Sequence, residues 1–268
     1  MSSASAYPPL RVTVLGSGTS HGVPVIGCSC AVCRSTDPRD KRTRSSIYVD
    51  DGTFPFLVDT TPELRIQCLA QDVTRVEAAL FTHAHADHIF GFDDLRCFCD
   101  RREGRLPIHG SAATLQMLRT VYPYAFDSTQ KMLTYIRAEE APFETLRTFP
   151  LGSLSVTPLE VVHGRAVTHG FLFEREGRKL LAYIPDAKSL PGATLERLEA
   201  VETLVLDGLR DEPHPTHMTT REAVEIGRQV GAGTTILTHL THHKSHADRE
   251  AELPPGYRVA YDGLTLAL

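Results

Sequence analysis

The sequence predicts an α/β protein built as two mixed β-sheets packed face to face, with helices on both outer surfaces. Three observations predict it. Short apolar strands bounded by Gly, Pro or Asp recur along the chain, and helical periodicity appears between them in both halves. The order runs from strands with few helices to strands with helices, twice over, which two half-covered sheets accommodate in a four-layer αβ/βα sandwich. No linker divides the 268 residues, so residues 1–268 read as one domain made of two halves.

The elements follow in order. Arg11–Leu15 reads as a short strand that runs into the glycine-rich turn Gly16-Ser17-Gly18-Thr19-Ser20. Ser46–Asp50 and Phe54–Asp59 flank Asp51-Gly52, a favoured hairpin dipeptide. Pro62–Gln71 reads as a helix, with Thr60 or Thr61 as its cap and Pro62 in the first turn, where a missing N–H costs nothing. Glu77–Thr82 is a buried strand, Leu106–His109 is another, and Ser111–Val121 is a second helix. Residues 122–148 are irregular and rich in aromatic and charged side chains, as in a flap or a partner contact. A second copy, in a homodimer, would cover the aromatics of Pro123–Glu144. The second half restarts with strands at Leu154–Val162, Gly170–Glu174 and Lys179–Ile184. A helix at Ala193–Ala200, a strand at Thr203–Leu206, a helix at Thr220–Val230 and a strand at Thr234–Thr238 come next. Strands at Tyr257–Tyr261 and Thr265–Leu268, around Asp262-Gly263, close the chain.

Charge and composition narrow the function classes. With 28 Lys+Arg against 33 Asp+Glu, the net charge of −5 argues against broad nucleic-acid binding. A small phosphate ester stays open, because metal charge dominates a cleft locally. No apolar run approaches the ~20 residues of a membrane span. Met1–Leu10 lacks a basic start followed by an apolar core, so no secretory signal is expected and a cytoplasmic location is the default. In such a chain the clustered members of the six cysteines point to metal rather than disulfides.

The chemistry concentrates in His83-Ala84-His85-Ala86-Asp87-His88, directly after the apolar run Ala78–Thr82. Three imidazoles and a carboxylate in six residues suit zinc, iron or manganese and can serve two neighbouring ions. On an extended backbone His83, His85 and Asp87 share one side, and His88 points elsewhere unless the chain turns. His163, Asp186 and His239 each stand just after a predicted strand, where binding residues gather. Singly, each is more commonly a hydrogen-bonding or turn residue; their weight comes from joint presence with the run. Cys28-Ser29-Cys30-Ala31-Val32-Cys33, in a loop at about 27–34, offers three thiolates that suit a closed structural zinc with a fourth ligand brought by folding. Redox chemistry and simple packing are the competing readings of those thiols. Cys97 and Cys99 read as core or interface, Cys68 as helix packing, His109 and His169 as structural, and His214 and His246 as exposed. His21, in the glycine-rich turn, reads either as a substrate contact or as a loop hydrogen bond.

Gly16–Thr19, Gly22-Val23-Pro24, the Cys-x-Cys-x-x-Cys of Cys28–Cys33, the His83 run and Thr238-His239-Leu240-Thr241-His242 together carry a resemblance. Over roughly residues 12–266 the chain resembles the metallo-β-lactamase superfamily. Within that superfamily it is most similar to the phosphodiesterases that open phosphoribosyl 1,2-cyclic phosphate during phosphonate breakdown. The resemblance implies a dinuclear site at one edge of the two sheets. His83, His85 and His163 would hold one divalent ion, Asp87, His88 and His239 the other, and Asp186 would bridge them. It also implies a structural zinc on Cys28, Cys30, Cys33 and His242, with His243 as the alternative fourth ligand. His217, just before the Thr219/Thr220 cap of a predicted helix, matches the histidine that protonates the leaving oxygen; His214, between two prolines, is the weaker candidate.

The expectation is a metal-dependent phosphodiesterase acting on a small phosphodiester, with His217, Asp87 and Asp186 as its catalytic groups. Manganese and zinc both suit the mixed N/O ligand set. Three other readings stand beside it: a transfer-RNA 3′-end endonuclease, a non-hydrolytic carrier as in quinone-cofactor synthesis, and a β-lactam or thioester hydrolase.

Overall fold

The computed structural model describes residues 7–100, 102, 104–129 and 135–268. In chain order the elements are β1 (Arg11–Gly16), β2 (Ser46–Asp50), β3 (Phe56–Val58), α1 (Leu64–Ala70), β4 (Ala78–Leu80), α2 (Ala86–Ile89) and α3 (Arg96–Cys99). Next come β5 (Leu106–Gly110), α4 (Ala112–Val121), β6 (Ala138–Pro142), β7 (Phe149–Leu151), β8 (Leu154–His163), β9 (Ala166–Arg175) and β10 (Arg178–Ile184). The chain ends with α5 (Gly192–Leu198), β11 (Thr203–Asp207), α6 (Thr220–Gln229), β12 (Thr234–Thr238), α7 (His246–Glu252), β13 (Tyr257–Val259) and β14 (Thr265–Ala267).

The strands form two seven-stranded sheets, in the orders β14-β1-β2-β3-β4-β5-β6 and β13-β12-β11-β10-β9-β8-β7. Each is antiparallel on one side and parallel on the other: β3 to β6 run parallel in the first sheet, and β10 to β13 in the second. The parallel strands β3, β4 and β11 are buried at every position. Such strands are covered on both faces, which explains their unbroken apolar runs. Alternate residues then serve different layers. Phe56, Val58, Ala78 and Leu80 face the second sheet and meet Phe171, Phe173, Tyr183 and Val205. Leu57, Ala79 and Phe81 face the helical layer of Leu64, Leu115 and Leu118. On the far side, Leu204, Leu206 and Leu237 pack under Leu198 and Ala223. The predicted fold class is the observed one.

Several local expectations change. Asp262-Gly263 does not close a hairpin, because β13 and β14 lie at the edges of different sheets. The Asp262 carboxylate instead ties the crossing together. It accepts from the Ser17 amide and hydroxyl at 2.9 and 2.8 Å, and from the Thr43 amide and hydroxyl at 2.7 Å each. The first helix starts at Leu64 rather than Pro62, because Thr61 Oγ1 caps a turn by accepting from the Glu63 amide at 3.2 Å. A helix unforeseen in the sequence, α7, is capped by Ser245, whose hydroxyl accepts from the Asp248 amide at 3.1 Å. His246, expected at the surface, is 3% exposed: its amide donates to Asp40 at 2.7 Å and its ring meets Arg42 Nη2 at 3.2 Å.

The stretch expected to be irregular is partly ordered sheet, since β6 pairs in register with β5 and Phe143 enters the inter-sheet core. Tyr122, Tyr124 and Phe126 are partly buried against the chain's own core, around Phe92. Residues 130–134 of the expected flap lie outside the described residues. Among the described residues, no helix is long and apolar enough to cross a membrane.

Replacing Asp262 by Ala strips four donors of their acceptor, and urea unfolding is expected to show a loss of about 2–4 kcal/mol. Asp262→Asn, which keeps one carbonyl acceptor, is expected to lose about half as much.

Candidate metal centre and active site

The C-terminal ends of the parallel strands of both sheets, together with the end of β8, converge on one edge of the sandwich. Ligand-type side chains emerge there, as open α/β sheets place them. From the first sheet, β4 delivers His83, and the chain stays extended only through His85, which sits at the N-cap of α2 with φ −69° and ψ 152°. The first turn of α2 then rotates Asp87 and His88 out of the strand alternation. From the second sheet come His163 at the end of β8, Asp186 just beyond β10, and His239 just beyond β12.

These groups meet around Asp186. One carboxylate oxygen lies 4.0 Å from His83 Nε2 and 3.8 Å from His163 Nε2; the other lies 3.3 Å from His88 Nε2 and 3.2 Å from a ring nitrogen of His239. Three triads, His83/His85/His163, His83/His88/Asp186 and Asp87/Asp186/His239, each bring their ligand atoms within 4.8 Å of one another. His88 Nε2 and Asp186 Oδ1 are buried, and neither makes a hydrogen bond. Orphaned buried atoms are rare, and this pair is suited to a cation between them.

The electrostatics also fit a cation. Burial works to raise the Asp186 pKa, but His239, His88 and His83 hold it well below the usual carboxylate range. Asp87 is likewise held low, against burial, by His88. Burial, then neighbouring His88, drives His83 well below its ordinary value, and burial brings His239 down to about 4. Ionised carboxylates and neutral imidazoles are the forms that bind metals. His88 differs: burial opposes its charge, but Asp186, Asp87 and Asp59 raise it well above the ordinary imidazole value.

Two carboxylates that the sequence reading passed over complete the arrangement. Asp59, fully buried after β3, accepts from His88 Nδ1 at 2.8 Å, from the Thr82 hydroxyl at 2.8 Å and from the Thr82 amide at 2.9 Å. Asp207, the last residue of β11, lies 2.6 Å from His217 Nδ1 and accepts from the Ala187 and Leu209 amides at 3.0 and 3.1 Å. Both obey the rule that singled out Asp186, an acid where a buried strand stops. The Thr216 carbonyl accepts from His163 Nδ1 at 2.9 Å. Such partners fix the ring tautomer and free the opposite nitrogen for the site. Asp59 and His239 both have positive φ, 63° and 59°. Left-handed backbone at a non-glycine residue costs on the order of 1 kcal/mol or more, and it clusters at functional sites.

His217 stacks at 4.8 Å on His239 and lies 4.7 Å from His163. Burial lowers its pKa, but the hydrogen bond and charge of Asp207 raise it above the ordinary imidazole value. With Asp87, Asp186, Ser20 and Arg165 it lines a cleft of about 540 Å³. His214 is half-buried, its Nδ1 3.2 Å from the Thr216 hydroxyl, and His21 is exposed on the adjoining cavity.

A second cluster lies beside this one. Cys28, Cys30 and Cys33 each place Sγ 3.4 Å from His242 Nδ1. Zinc bound at about 2.3 Å to sulfur and about 2.0 Å to nitrogen would give tetrahedral edges of about 3.5 Å. His243 turns away and bonds the Thr241 hydroxyl through Nδ1 at 2.8 Å. The amide of Cys33, then His242, brings the Cys30 thiol down to about 6, so it is available as thiolate. The remaining cysteines and histidines stand apart: Cys68 and Cys99 are buried, Cys97 is exposed rather than core, His109 stacks on Phe149 at 5.0 Å, and His169 meets the Thr145 hydroxyl at 2.9 Å.

Residues 55–240 match the family described as Beta-lactamase superfamily domain. The chain belongs to the beta-lactamase superfamily. Among solved structures, this superfamily member is similar to a diphosphatase of the PhnP family, with 37% identity, a TM-score of 0.88 and 97% of each chain covered. Over 95% of its length it is 35% identical to an octanoyltransferase of Porphyromonas gingivalis, and it spans 51% of that protein. It is also 28% identical to Coenzyme PQQ synthesis protein B of Methylobacterium radiotolerans, over 97% of this chain and 100% of that one.

Asp59→Asn tests the support of the superfamily site. Asn tolerates left-handed backbone as Asp does, so the substitution alters the charge behind His88 and leaves the turn intact. Affinity for zinc or manganese, titrated against a competing chelator, is expected to fall 10–100-fold.

Proposed function

We propose that the protein is a metal-dependent phosphodiesterase that hydrolyses a small cyclic or simple phosphodiester of the phosphoribosyl 1,2-cyclic phosphate type. Family membership and the likeness to a diphosphatase support a metal-dependent hydrolase. The observation that carries the finer reading is the Asp207–His217 pair at 2.6 Å, set against the Asp186 cluster.

The residues divide the work. His83, His85 and His163 would hold one divalent ion, Asp87, His88 and His239 the second, and Asp186 would contribute to both; the triads His83/His85/His163 and Asp87/Asp186/His239 support that division. Bound there, zinc or manganese ions generate the nucleophile from water at neutral pH and screen phosphate charge. Asp59 and the Thr216 carbonyl keep His88 and His163 in the tautomers that present Nε2 to the site. His217, with Nδ1 engaged by Asp207, gives its Nε2 proton to the departing oxygen as the P–O bond breaks; Asp207 stabilises the imidazolium beforehand. Cys28, Cys30, Cys33 and His242 would hold a structural zinc, which would anchor the loop after β12. Whole-length likeness to the PQQ synthesis protein keeps one second reading open, a metal-containing carrier without hydrolytic turnover.

Turnover of bis(p-nitrophenyl) phosphate by manganese-loaded protein separates the two, and no turnover would favour the carrier. His217→Ala is expected to lose about 10²–10⁴-fold on unactivated alkyl diesters with metal content retained. Aryl diesters, whose leaving group needs no proton, are expected to lose far less; equal losses on both would remove His217 from the acid role. Cys30→Ser is expected to lose one equivalent of zinc and to melt at a lower temperature, and unchanged zinc and melting would remove the structural site.

A further inference from the structure

Thr82 lies just past β4, immediately before His83, and is fully buried. Every polar atom it owns is committed. Its amide donates to Asp59 Oδ1 at 2.9 Å, its hydroxyl donates to Asp59 Oδ2 at 2.8 Å, and its carbonyl accepts from the His169 amide of β9 at 2.9 Å. The residue is thus fixed to both sheets. The same hydroxyl oxygen lies 3.0 Å from His83 Nδ1, and it is the hydrogen-bond partner of that nitrogen among the described residues.

Counting protons gives these contacts a direction. His83 Nε2 and His88 Nε2 face Asp186 at 4.0 and 3.3 Å. A ring nitrogen that serves a metal site carries no proton, so each ring keeps its proton on Nδ1. His88 Nδ1 donates to Asp59 Oδ2 at 2.8 Å. An ionised carboxylate only accepts, so the single Thr82 hydroxyl proton goes to it as well. The Thr82 oxygen is then the acceptor for the His83 Nδ1 proton. His88 Nδ1 is also 3.5 Å from that oxygen, but its shorter contact with Asp59 takes its proton.

These bonds join the two halves of the ligand set. Under the division above, His83 belongs to the first ion and His88 to the second. Asp59 reaches His88 directly and His83 only through Thr82. His163 is held instead by the Thr216 backbone carbonyl at 2.9 Å, outside this network.

We infer that Thr82 is a positioning residue for the first ion: its hydroxyl carries the hold of Asp59 across to His83, so one buried carboxylate sets a ligand ring in each half of the centre. The inference rests on the dinuclear reading above. It separates two effects that general packing would merge. Loss of the hydroxyl releases His83 alone, whereas loss of the Asp59 charge disturbs both rings.

Manganese is the probe, because the soft thiolates of the cysteine loop disfavour so hard an ion. Free manganese, read by electron paramagnetic resonance during a titration, gives the dissociation constants of the cluster without turnover. Thr82→Val puts a methyl group where the hydroxyl was. It is expected to weaken one of the two constants about 10–100-fold and to leave the other within about twofold. Thr82→Ser, which restores the hydroxyl, is expected to keep both near wild type, and Asp59→Asn to weaken both. Nitrogen NMR of metal-free, histidine-labelled protein is expected to show His83 protonated on Nδ1 in wild type and Thr82→Ser, and as a mixture of tautomers in Thr82→Val. Equal weakening of both constants in Thr82→Val, no weakening, or failure of serine to rescue overturns the assignment. If wild type binds fewer than two manganese ions, the dinuclear reading fails instead, and the His83 tautomer alone decides the role of Thr82. Thr82→Ala carries the same expectations and decides the matter should the valine variant not fold.

Discussion

The structure turns on the ionised carboxylate of Asp186 buried among four imidazoles. Asp186 is 2% exposed, and His83, His88 and His239 are each at or below 1%. Taking such groups out of water costs several kcal/mol per ion even after relaxation. Hydrogen bonds within the cluster do not offset this, because His88 Nε2 and Asp186 Oδ1 remain unpartnered. A divalent cation would supply the missing compensation, which would link folding to metal binding at this edge. The same requirement accounts for the left-handed backbone at Asp59 and His239. Each residue follows a parallel strand directly, and the turn brings its side chain back over the sheet edge.

The glycine-rich turn serves this arrangement through packing. A Cβ on Gly16 would lie 1.9 Å from the Arg44 carbonyl oxygen, and one on Gly18 would lie 2.9 Å from Arg42 Cβ. The close approach lets the Gly18 amide donate to Thr43 at 2.8 Å, while Leu240 donates to Ser17 at 2.9 Å and accepts from Thr19 at 3.2 Å. The first sheet's opening turn and the second sheet's His239 loop therefore form one wall. Asp262 binds the same wall from behind, through Ser17 and Thr43.

Much of this was legible in the sequence, for a physical reason. Ligand-rich runs after apolar strands depend on short-range order, so the His83 run stands out by itself, and His163, Asp186 and His239 at strand ends gain weight jointly with it. The partners that orient them do not. Asp59 reads as the end of a hairpin strand and Asp207 falls just past the strand read at Thr203–Leu206, and only tertiary folding sets them behind His88 and His217. Asp262-Gly263 shows the opposite error: a dipeptide with strong hairpin preference is overridden because its carboxylate satisfies four donors across a sheet crossing. His246 was misread for the same reason, since the buried Arg42 that needs it lies 204 positions away.

The loop after β12 carries the last constraint. His239 and His242 are three residues apart, with Leu240 fully buried between them, so one short segment faces two clusters. A loop this short cannot move one histidine without moving the other. Ligation of His242 by the three thiols would therefore fix not only the cysteine loop but also the His239 ring, on which His217 stacks at 4.8 Å. His242 also lines the cavity that His217 opens onto. A filled cysteine site would thus stand to His217 as a buttress stands to a wall: without touching Asp186, it would set the position of the His217 ring relative to that carboxylate and the shape of the cavity beside it.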